Sequence, residues 1–369
     1  MTTSKESESL RLAPLREKID GLDQSILDLL SQRAQVALEV GHVKQEFGSL
    51  VFRPEREQQV INQLTKKNPG PLSNQGIEYI WREIMSACRS IEAKTRVAFL
   101  GPTGTFSETA TFQFFGHSVE CSPQVNLDDV FRAVESHQSG FGVVPIENSS
   151  EGAISRTLDL LLRSNLKICG EISIPVEHTL MSQSGTLDGI THIYAHPQAL
   201  AQCQVWLNQH APNLHREAVS SNAQAAVDAT QAPHIAAIAS ISAATAYGLL
   251  PIEQGIQDDS HNQTRFVVIG TQATGPTGND QTSLIVSLNN EAGAVYRMLE
   301  PFAKHGVSMT RFESRPARTG AWEYHFYIDL KGHQEDLSVA AALLDLQKLT
   351  TFYKCLGSYS KSSHHVTNG

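Results

Sequence analysis

Three rhythms of hydrophobicity along 369 residues predict a multidomain chain: an all-α N-terminal segment, a two-lobed α/β middle and an α+β ferredoxin-like C-terminal module. From Ser9 to about Lys94 apolar residues recur at spacings of three and four, with no strand signal. From Arg96 to Gly270 strand-like runs alternate with helical ones. After a small-residue linker, Thr271 to Gln281, the order becomes βαββαβ. A chain this long exceeds one ordinary core, so we expect domains at 1–95, 96–272 and 281–369.

The first helix is expected from Leu10 to about Gln45, with Leu15, Ile19, Leu22, Ile26, Leu29, Leu30, Val36, Ala37 and Val40 on its apolar positions. Phe47-Gly48-Ser49 breaks it. Pro54 opens a second helix at its first turn, Asn68 to Pro71 ends that one, and Asn74 to Ile77 leads into a third ending near Ala93. Three helices of unequal length enclose little core, so two copies are expected to interlock.

In the middle segment RVAFLG reads as a strand, GPTGTFSETA as a glycine-rich turn entering a helix, FGVVPIEN as a strand and loop, EGAISRTLDLLLRS as a helix and LKICGEISI as a strand. A second set follows: HIYAHPQAL, a helix to about His210, EAVSSNAQAAVDAT, HIAAIAS, a helix to Leu250, then HNQTRFVVIG. Strands alternating with helices imply parallel sheets in two lobes.

Bulk properties exclude several classes. The net charge of −9, without a basic tract, argues against nucleic acid as a partner. The N-terminus lacks the features of a signal peptide and no run of about 18 apolar residues occurs, so no membrane span is expected. Five cysteines without CxxC spacing argue against a disulfide framework or zinc site and fit a cytoplasmic location. No metal site is indicated.

Arg33 and Lys44 are eleven residues apart, which returns them to one helix face about 16 Å apart along the axis. Long side chains so placed can grip a small dianion from both ends, or they can be solvated charges on an amphipathic helix. Arg16 lies on another face and could join that site only from a second chain. LREKIDGLDQSILDLLSQRAQVALEVGHVK, RPEREQQV and REIMSACRSIE resemble the all-helical bacterial chorismate mutases. The resemblance implies an intertwined dimer in which Arg16 serves the neighbour's site. Arg33 would bind one substrate carboxylate, Lys44 the other and the ether oxygen, and Glu57 the ring hydroxyl, with Arg56 in support. Arg53, Cys88 and Glu92 depart from the usual pattern, in which the last is often a glutamine donating to the ether oxygen. The rearrangement of chorismate to prephenate needs no nucleophile. It needs the reactive conformer held and positive charge or donors at the breaking ether bond. Glu92 could donate there only while protonated, so mutase activity is expected to rise as pH falls.

GPTGTFSETA could present backbone N–H groups to an anion or be a plain strand–helix turn. Glu147 and Asn148 follow one strand, while Ser220 precedes Ser221-Asn222-Ala223-Gln224, whose ends suit a capping box. Each could line a ligand cleft or cap a loop. The ordered set GPTGTFS, VPIENSSEGAI, YAHPQALAQC, SSNAQAA and NQTRF resembles the prephenate dehydratases from Arg96 to about Gly270. This implies two lobes like those of periplasmic binding proteins. Loss of CO2 and hydroxyl from prephenate requires a donor beside a poor leaving group. The resemblance gives Thr264 that part, and has Arg265 hold a carboxylate. Glu147, Asn148, Ser220 and Gln224 would be further substrate ligands.

NNEAGAVYRMLEPFAKHGVSMTRFESRP resembles the phenylalanine-sensing ACT modules. Gly293, Ala294 and Val295 would offer helix-start amides to a ligand carboxylate. Glu313, Ser314, Arg315 and Pro316 form the second regulatory signature, and a purely dimerising module is the alternative. Taken together the resemblances imply a bifunctional chorismate mutase/prephenate dehydratase (the P-protein family), inhibited by phenylalanine, homodimeric or larger, and needing no metal or organic cofactor. The competing reading is a non-catalytic amino-acid-binding regulator with a helical dimerisation arm.

Overall fold

The structure is a computed structural model that describes residues 2–48, 52–317 and 324–361. Its helical segment comprises α1 (Thr2–Glu46), α2 (Pro54–Lys67) and α3 (Asn74–Glu92). Helix α1 begins well before the expected Leu10 and runs through Pro14. It stops where Gly48 takes a positive φ of 61°, a left-handed turn that suits glycine. Ser49, part of the expected break, lies outside the described residues. Helix α2 starts on Pro54, and Ser73 caps α3 by accepting from the Gly76 amide at 3.1 Å. Leu15, Ile19, Leu22, Ile26 and Leu29 are all exposed in the single chain, so most of α1 has no core of its own.

The first lobe runs β1 (Arg96–Leu100), α4 (Phe106–Phe115), β2 (Glu120–Gln124), α5 (Leu127–Glu135), β3 (Phe141–Asn148), β4 (Gly152–Ala153), α6 (Ser155–Arg163) and β5 (Lys167–Pro175). The chain then crosses to a second lobe: β6 (Thr179–Ser182), β7 (His192–Ala195), α7 (Pro197–Gln202), α8 (Gln204–His210), β8 (His215–Ala218), α9 (Asn222–Gln231), β9 (Ile235–Ala239), α10 (Ile241–Tyr247) and β10 (Leu250–Gln254). It returns as β11 (Gln263–Gly270).

Neither sheet is purely parallel, which corrects the sequence expectation. The first has the order β2-β1-β3-β11-β5, and β11 is antiparallel to both neighbours. The second has the order β10-β6-β9-β7-β8, with parallel pairs β7·β8 and β7·β9 and antiparallel pairs at β6. The reason is the double crossing between lobes. Strand β5 leaves the first sheet at the edge where β11 re-enters it, so the returning strand must run the other way. Thr264 therefore starts β11 beside Asn148, which ends β3. Both sit at the carboxyl edge of the parallel strands, where open α/β sheets bind ligands.

The C-terminal module is β12 (Asp280–Ser287), α11 (Ala294–Lys304), β13 (Met309–Pro316), β14 (Tyr324–Lys331), α12 (Leu337–Gln347) and β15 (Phe352–Ser360), with sheet order β13-β14-β12-β15. It is packed onto the first lobe, sharing one core: Val144, Ile146, Leu158 and Ile168 meet Ile285, Tyr327, Leu356 and Tyr359. The stretch 271–281 is no free linker. Gln272 is buried and its side chain donates to the Phe52 carbonyl at 3.1 Å, while Gln59 donates to the Pro276 carbonyl at 3.2 Å. Phe52 itself lies in an aromatic nest with Phe114, Phe115 and Phe141, which fixes the helical segment to the first lobe.

Candidate active sites

The helical segment holds a cavity of about 550 Å³ lined by Arg33, Lys44, Arg53, Arg56, Glu57, Cys88, Arg89 and Glu92, with Val36, Val40, Val60 and Met85 as its apolar wall. Arg33 and Lys44 do converge, as their eleven-residue spacing requires. Five cationic side chains (Arg33, Lys44, Arg53, Arg56, Arg89) face two carboxylates (Glu57, Glu92), an excess suited to a dianion. Lys44 Nζ meets Glu92 Oε2 at 3.0 Å. Arg89 is buried, binds Glu57 and the Phe115 carbonyl, and lies 4.5 Å from the centre of the Phe52 ring. Arg53 donates to Glu55 at 2.9 Å and remains largely exposed. Arg16 is exposed and does not line the cavity, standing about 26 Å from Arg33 along the helix.

In the middle domain, Asn148 organises the start of β11. Its Oδ1 accepts from the Ser150 and Glu151 amides at 3.0 and 3.2 Å, which fixes the side-chain amide's orientation. Its Nδ2 then donates to Asn262 Oδ1 at 2.9 Å and to Thr264 Oγ1 at 3.0 Å. Because the Thr264 oxygen already accepts, its own O–H is the group left to donate. The lobes touch through the glycine-rich turn: Ser240 donates to the Gly104 carbonyl at 2.7 Å and Tyr247 to the Thr103 carbonyl at 2.9 Å. That turn does not hold its amides open for an anion. The Gly104 N–H is taken by Glu108 Oε2 at 2.6 Å, so the turn acts as a lobe contact.

Two expected substrate ligands face elsewhere. Strand residues alternate in direction, so Arg265 and Glu147 point to the face opposite Thr264 and Asn148. Arg265 meets Glu171 at 2.6 Å and Asp329 at 2.7 Å, with Tyr359 at 3.2 Å and Glu147 at 3.6 Å. Burial works against its charge, but Tyr359, Asp329 and Glu171 more than offset this, and its pKa is raised. Glu147 is also held by Arg311 at 3.2 Å. A guanidinium so saturated on the wrong face is not poised for a substrate carboxylate. In the second lobe the capping box is half formed: the Gln224 N–H donates to Ser221 Oγ at 3.0 Å, but the Gln224 side chain donates forward to Asp228 at 2.8 Å. Ser220 is exposed just ahead of that cap.

The C-terminal module has a cavity of about 260 Å³ between the β12–α11 loop and β14, lined by Gly293, Ala294, Val295, Tyr296, Tyr324 and Phe326 among others. Gly293 caps α11 at φ 80°, in the left-handed region. Within one chain the second signature does not line this cavity, although Ser314 and Pro316 pair with its wall residues Phe326 and Tyr324. Arg315 donates to the Ser155 carbonyl at 2.7 Å and faces Asp159 at 3.5 Å, while Glu313 holds Arg311 at 2.6 Å. Ser314 and Pro316 share that strand with them. This strand is a bridge to the first lobe.

Family models for three domains match the chain: chorismate mutase type II over residues 15–93, prephenate dehydratase over 97–274 and the ACT domain over 282–347. A bifunctional chorismate mutase/prephenate dehydratase of Stutzerimonas stutzeri is 45% identical over 362 residues, covering 96% of this chain and 99% of that protein. The chain belongs to the bifunctional chorismate mutase/prephenate dehydratase family. The protein of that name from Pseudomonas aeruginosa is 43% identical over 95% of this chain and 98% of its own length. A prephenate dehydratase of Arthrobacter aurescens, solved in complex with L-Phe, superposes with a TM-score of 0.68 at 34% identity, covering 73% of this chain and 91% of that one.

Reading the sequence as a member of this family still leaves out Arg89, Asn262, Arg311, Asp329 and Tyr359. Arg89 had a local signal, since it stands three residues before Glu92 and four after Met85 on one helix face. Asn262 and Arg311 lie inside the motifs NQTRF and VSMTRFESRP, but their roles, like those of Asp329 and Tyr359, are set by contacts between segments far apart in the chain.

Proposed function

We propose that the protein rearranges chorismate to prephenate in the helical cavity and converts prephenate to phenylpyruvate at Thr264, with phenylalanine inhibiting from the C-terminal module. The convergence of Arg33, Lys44, Arg53 and Arg56 on one cavity carries the first activity. Arg33 and Lys44 hold the two carboxylates, which selects the compact conformer, and Lys44 with protonated Glu92 meets the ether oxygen as charge gathers there. Glu57 accepts from the ring hydroxyl and Arg56 supports the cluster.

For the second activity, electrons of the ring C–CO2⁻ bond enter the ring and depart with the hydroxyl on the opposite carbon, which leaves as water once it gains a proton. Thr264 donates a hydrogen bond to that oxygen. A threonine hydroxyl is too weak an acid to protonate it outright, so the proton arrives by relay. Asn148 supports this reading as the group that aims Thr264, not as a carboxylate ligand. Ser220 and Gln224 remain candidates from the second lobe.

Phenylalanine, in this reading, binds at Gly293, Ala294 and Val295, and the Glu313–Pro316 strand carries its effect to the first lobe. The working unit is a homodimer or larger: the exposed apolar stripe of α1 and the edge strand β13, with Met309 and Phe312 exposed, suit a second copy. All five cysteines are free thiols, in keeping with a reducing cytoplasm. No helix among the described residues is long and apolar enough to cross a membrane.

The test is a single assay following chorismate absorbance and phenylpyruvate, with and without millimolar phenylalanine. Thr264→Ala should reduce dehydratase kcat by about 10²–10⁴-fold and leave mutase turnover intact. Retention of most dehydratase turnover in the folded variant rules out this role for Thr264.

A further inference from the structure

Two register pairs at the end of the first sheet stand back to back. Thr264 pairs with Asn148 and Arg265 with Glu147, one step apart on β11 and β3. The second pair faces the C-terminal module, and the first lies on the opposite face of the sheet at its carboxyl edge. We propose that Arg265 is a positioning residue for the dehydratase step, the strut through which the C-terminal module sets the strand that carries Thr264. This rests on the reading of Thr264 given above.

Every edge of the guanidinium is engaged. Nε donates to Glu171 at 2.7 Å, Nη1 to Asp329 at 2.7 Å and Nη2 to the Tyr359 hydroxyl at 3.2 Å. Glu171 belongs to the first lobe, whereas Asp329 and Tyr359 belong to β14 and β15 of the module. A second layer locks these partners. Ser283 donates to Asp329 at 2.5 Å and lies 2.7 Å from the Tyr359 oxygen, and Gln281 donates to Glu171 at 3.2 Å. Beside it Arg311 joins Glu147 to Glu313. Buried ionic networks of this kind hold geometry more than they add stability.

Two features make the strand end responsive. The pairing of β11 with β3 shifts register between Arg265 and Phe266, so residues 264 and 265 are set apart from the ladder that follows. Such bulges re-aim side chains. At the other end, β14 lines the module's cavity with Phe326 and presents Asp329 three residues later, on its opposite face. A ligand against Phe326 thus presses on the strand that grips Arg265. Movement of that grip tilts Thr264 away from the leaving hydroxyl without touching substrate-binding groups.

The experiment uses the full chain with Tyr359→Phe, Asp329→Asn, Arg265→Lys and Arg265→Met, each checked for folding by thermal melting. Tyr359→Phe removes one hydroxyl and guards against loss of fold. The sensor-side variants should lower kcat for prephenate about three- to tenfold with KM within about twofold of the unmodified chain. They should also raise the phenylalanine concentration for half-inhibition by about fivefold or more, while calorimetry still detects phenylalanine binding. Arg265→Lys should retain more kcat than Arg265→Met. The proposal is overturned if folded Tyr359→Phe and Asp329→Asn change neither kcat nor inhibition, or if Arg265→Lys raises KM about tenfold at unchanged kcat, the signature of a substrate ligand. Failure of the Thr264 reading shows separately, as full turnover in Thr264→Ala whatever the sensor-side variants do.

Discussion

Lys44 Nζ and Glu92 Oε2 stand 3.0 Å apart in the wall of the helical cavity, joining the end of α1 to the end of α3. In the proposed binding mode, a dianion entering the cavity draws Lys44 toward its own carboxylate and leaves Glu92 beside the ether oxygen. An ionised Glu92 opposes the negative charge that gathers there, whereas a protonated one donates to it. Mutase kcat/KM is therefore expected to rise toward acid. Glu92→Gln should flatten that limb and hold the high plateau. An unaltered pH profile in the glutamine variant removes Glu92 from the mechanism.

Arg16 and Arg33 lie on one helix but, in the proposed dimer, in different active sites. Arg16→Ala and Arg33→Ala homodimers should each lose mutase activity. Mixing them by unfolding and refolding together should restore about a quarter of the unmodified rate, since half the dimers carry one intact site of two. Prephenate turnover in the same samples reports refolded protein. A mixture as inactive as its parents means that Arg16 does not cross between protomers.

Much of the fold was legible because its signals are local. Apolar spacing located α1, while Pro54 and the stop at Asn68 to Pro71 bounded α2, and apolar runs located β3 and β5. What the sequence concealed depends on which strand lies beside which. HNQTRFVVIG reads as a strand, but its antiparallel insertion between β3 and β5 follows from the chain's return from the second lobe. The candidate sites divide in the same way. Arg33 and Lys44 share a helix face by arithmetic. Thr264 and Arg265 were read as two ligands of one substrate, although period-two alternation sends consecutive strand residues to opposite faces. That signal was present in the sequence. The partners that claim Arg265, Asp329 and Tyr359, were beyond any local pattern.

Phe52 ties the mutase cavity to the first dehydratase lobe. Its ring packs at 5.0 Å from Phe115 and 5.2 Å from Phe141, and Arg89 lies over it while holding Glu57. Phe52→Ala should destabilise the native state by about 3–5 kcal/mol, as large-to-small changes at buried aromatic positions do. It should also weaken mutase turnover, because Arg89 loses the surface against which it positions Glu57. Denaturant titration followed by both activities checks this: mutase activity should be lost at lower denaturant than dehydratase activity. Coincident, unshifted transitions contradict the coupling.

Gly357 makes the matching demand at the other junction. Its φ is 140°, and a Cβ placed there would lie 2.5 Å from the Ile168 carbonyl oxygen on β5. Gly357→Ala should cost about 1–3 kcal/mol by overpacking. Because the strain falls where β15 meets β5, phenylalanine inhibition should weaken along with stability. Stability reduced with inhibition unchanged separates the packing of this seam from regulation.

His178 is expected to contribute to the acid limit of stability. It is buried where the chain passes from β5 to β6, its Nε2 lies 2.9 Å from Gln202 Oε1 and its Nδ1 has no hydrogen-bond partner. The N–H is therefore on Nε2, and the ring is neutral. Burial lowers its pKa below the ordinary 6.5, with the Gln202 contact acting weakly the other way. Between the folded and unfolded values the unfolded chain binds the extra proton, so stability rises with pH across that window. The contribution is complete above about pH 6.5 and is lost as pH falls through the depressed folded value. The melting temperature should therefore drop as pH is lowered below 6.5. His178→Gln, which keeps a donor toward Gln202 and has nothing to titrate, should lessen that drop. An acid limb of equal slope in the glutamine variant assigns the loss to carboxylates elsewhere and not to this hinge.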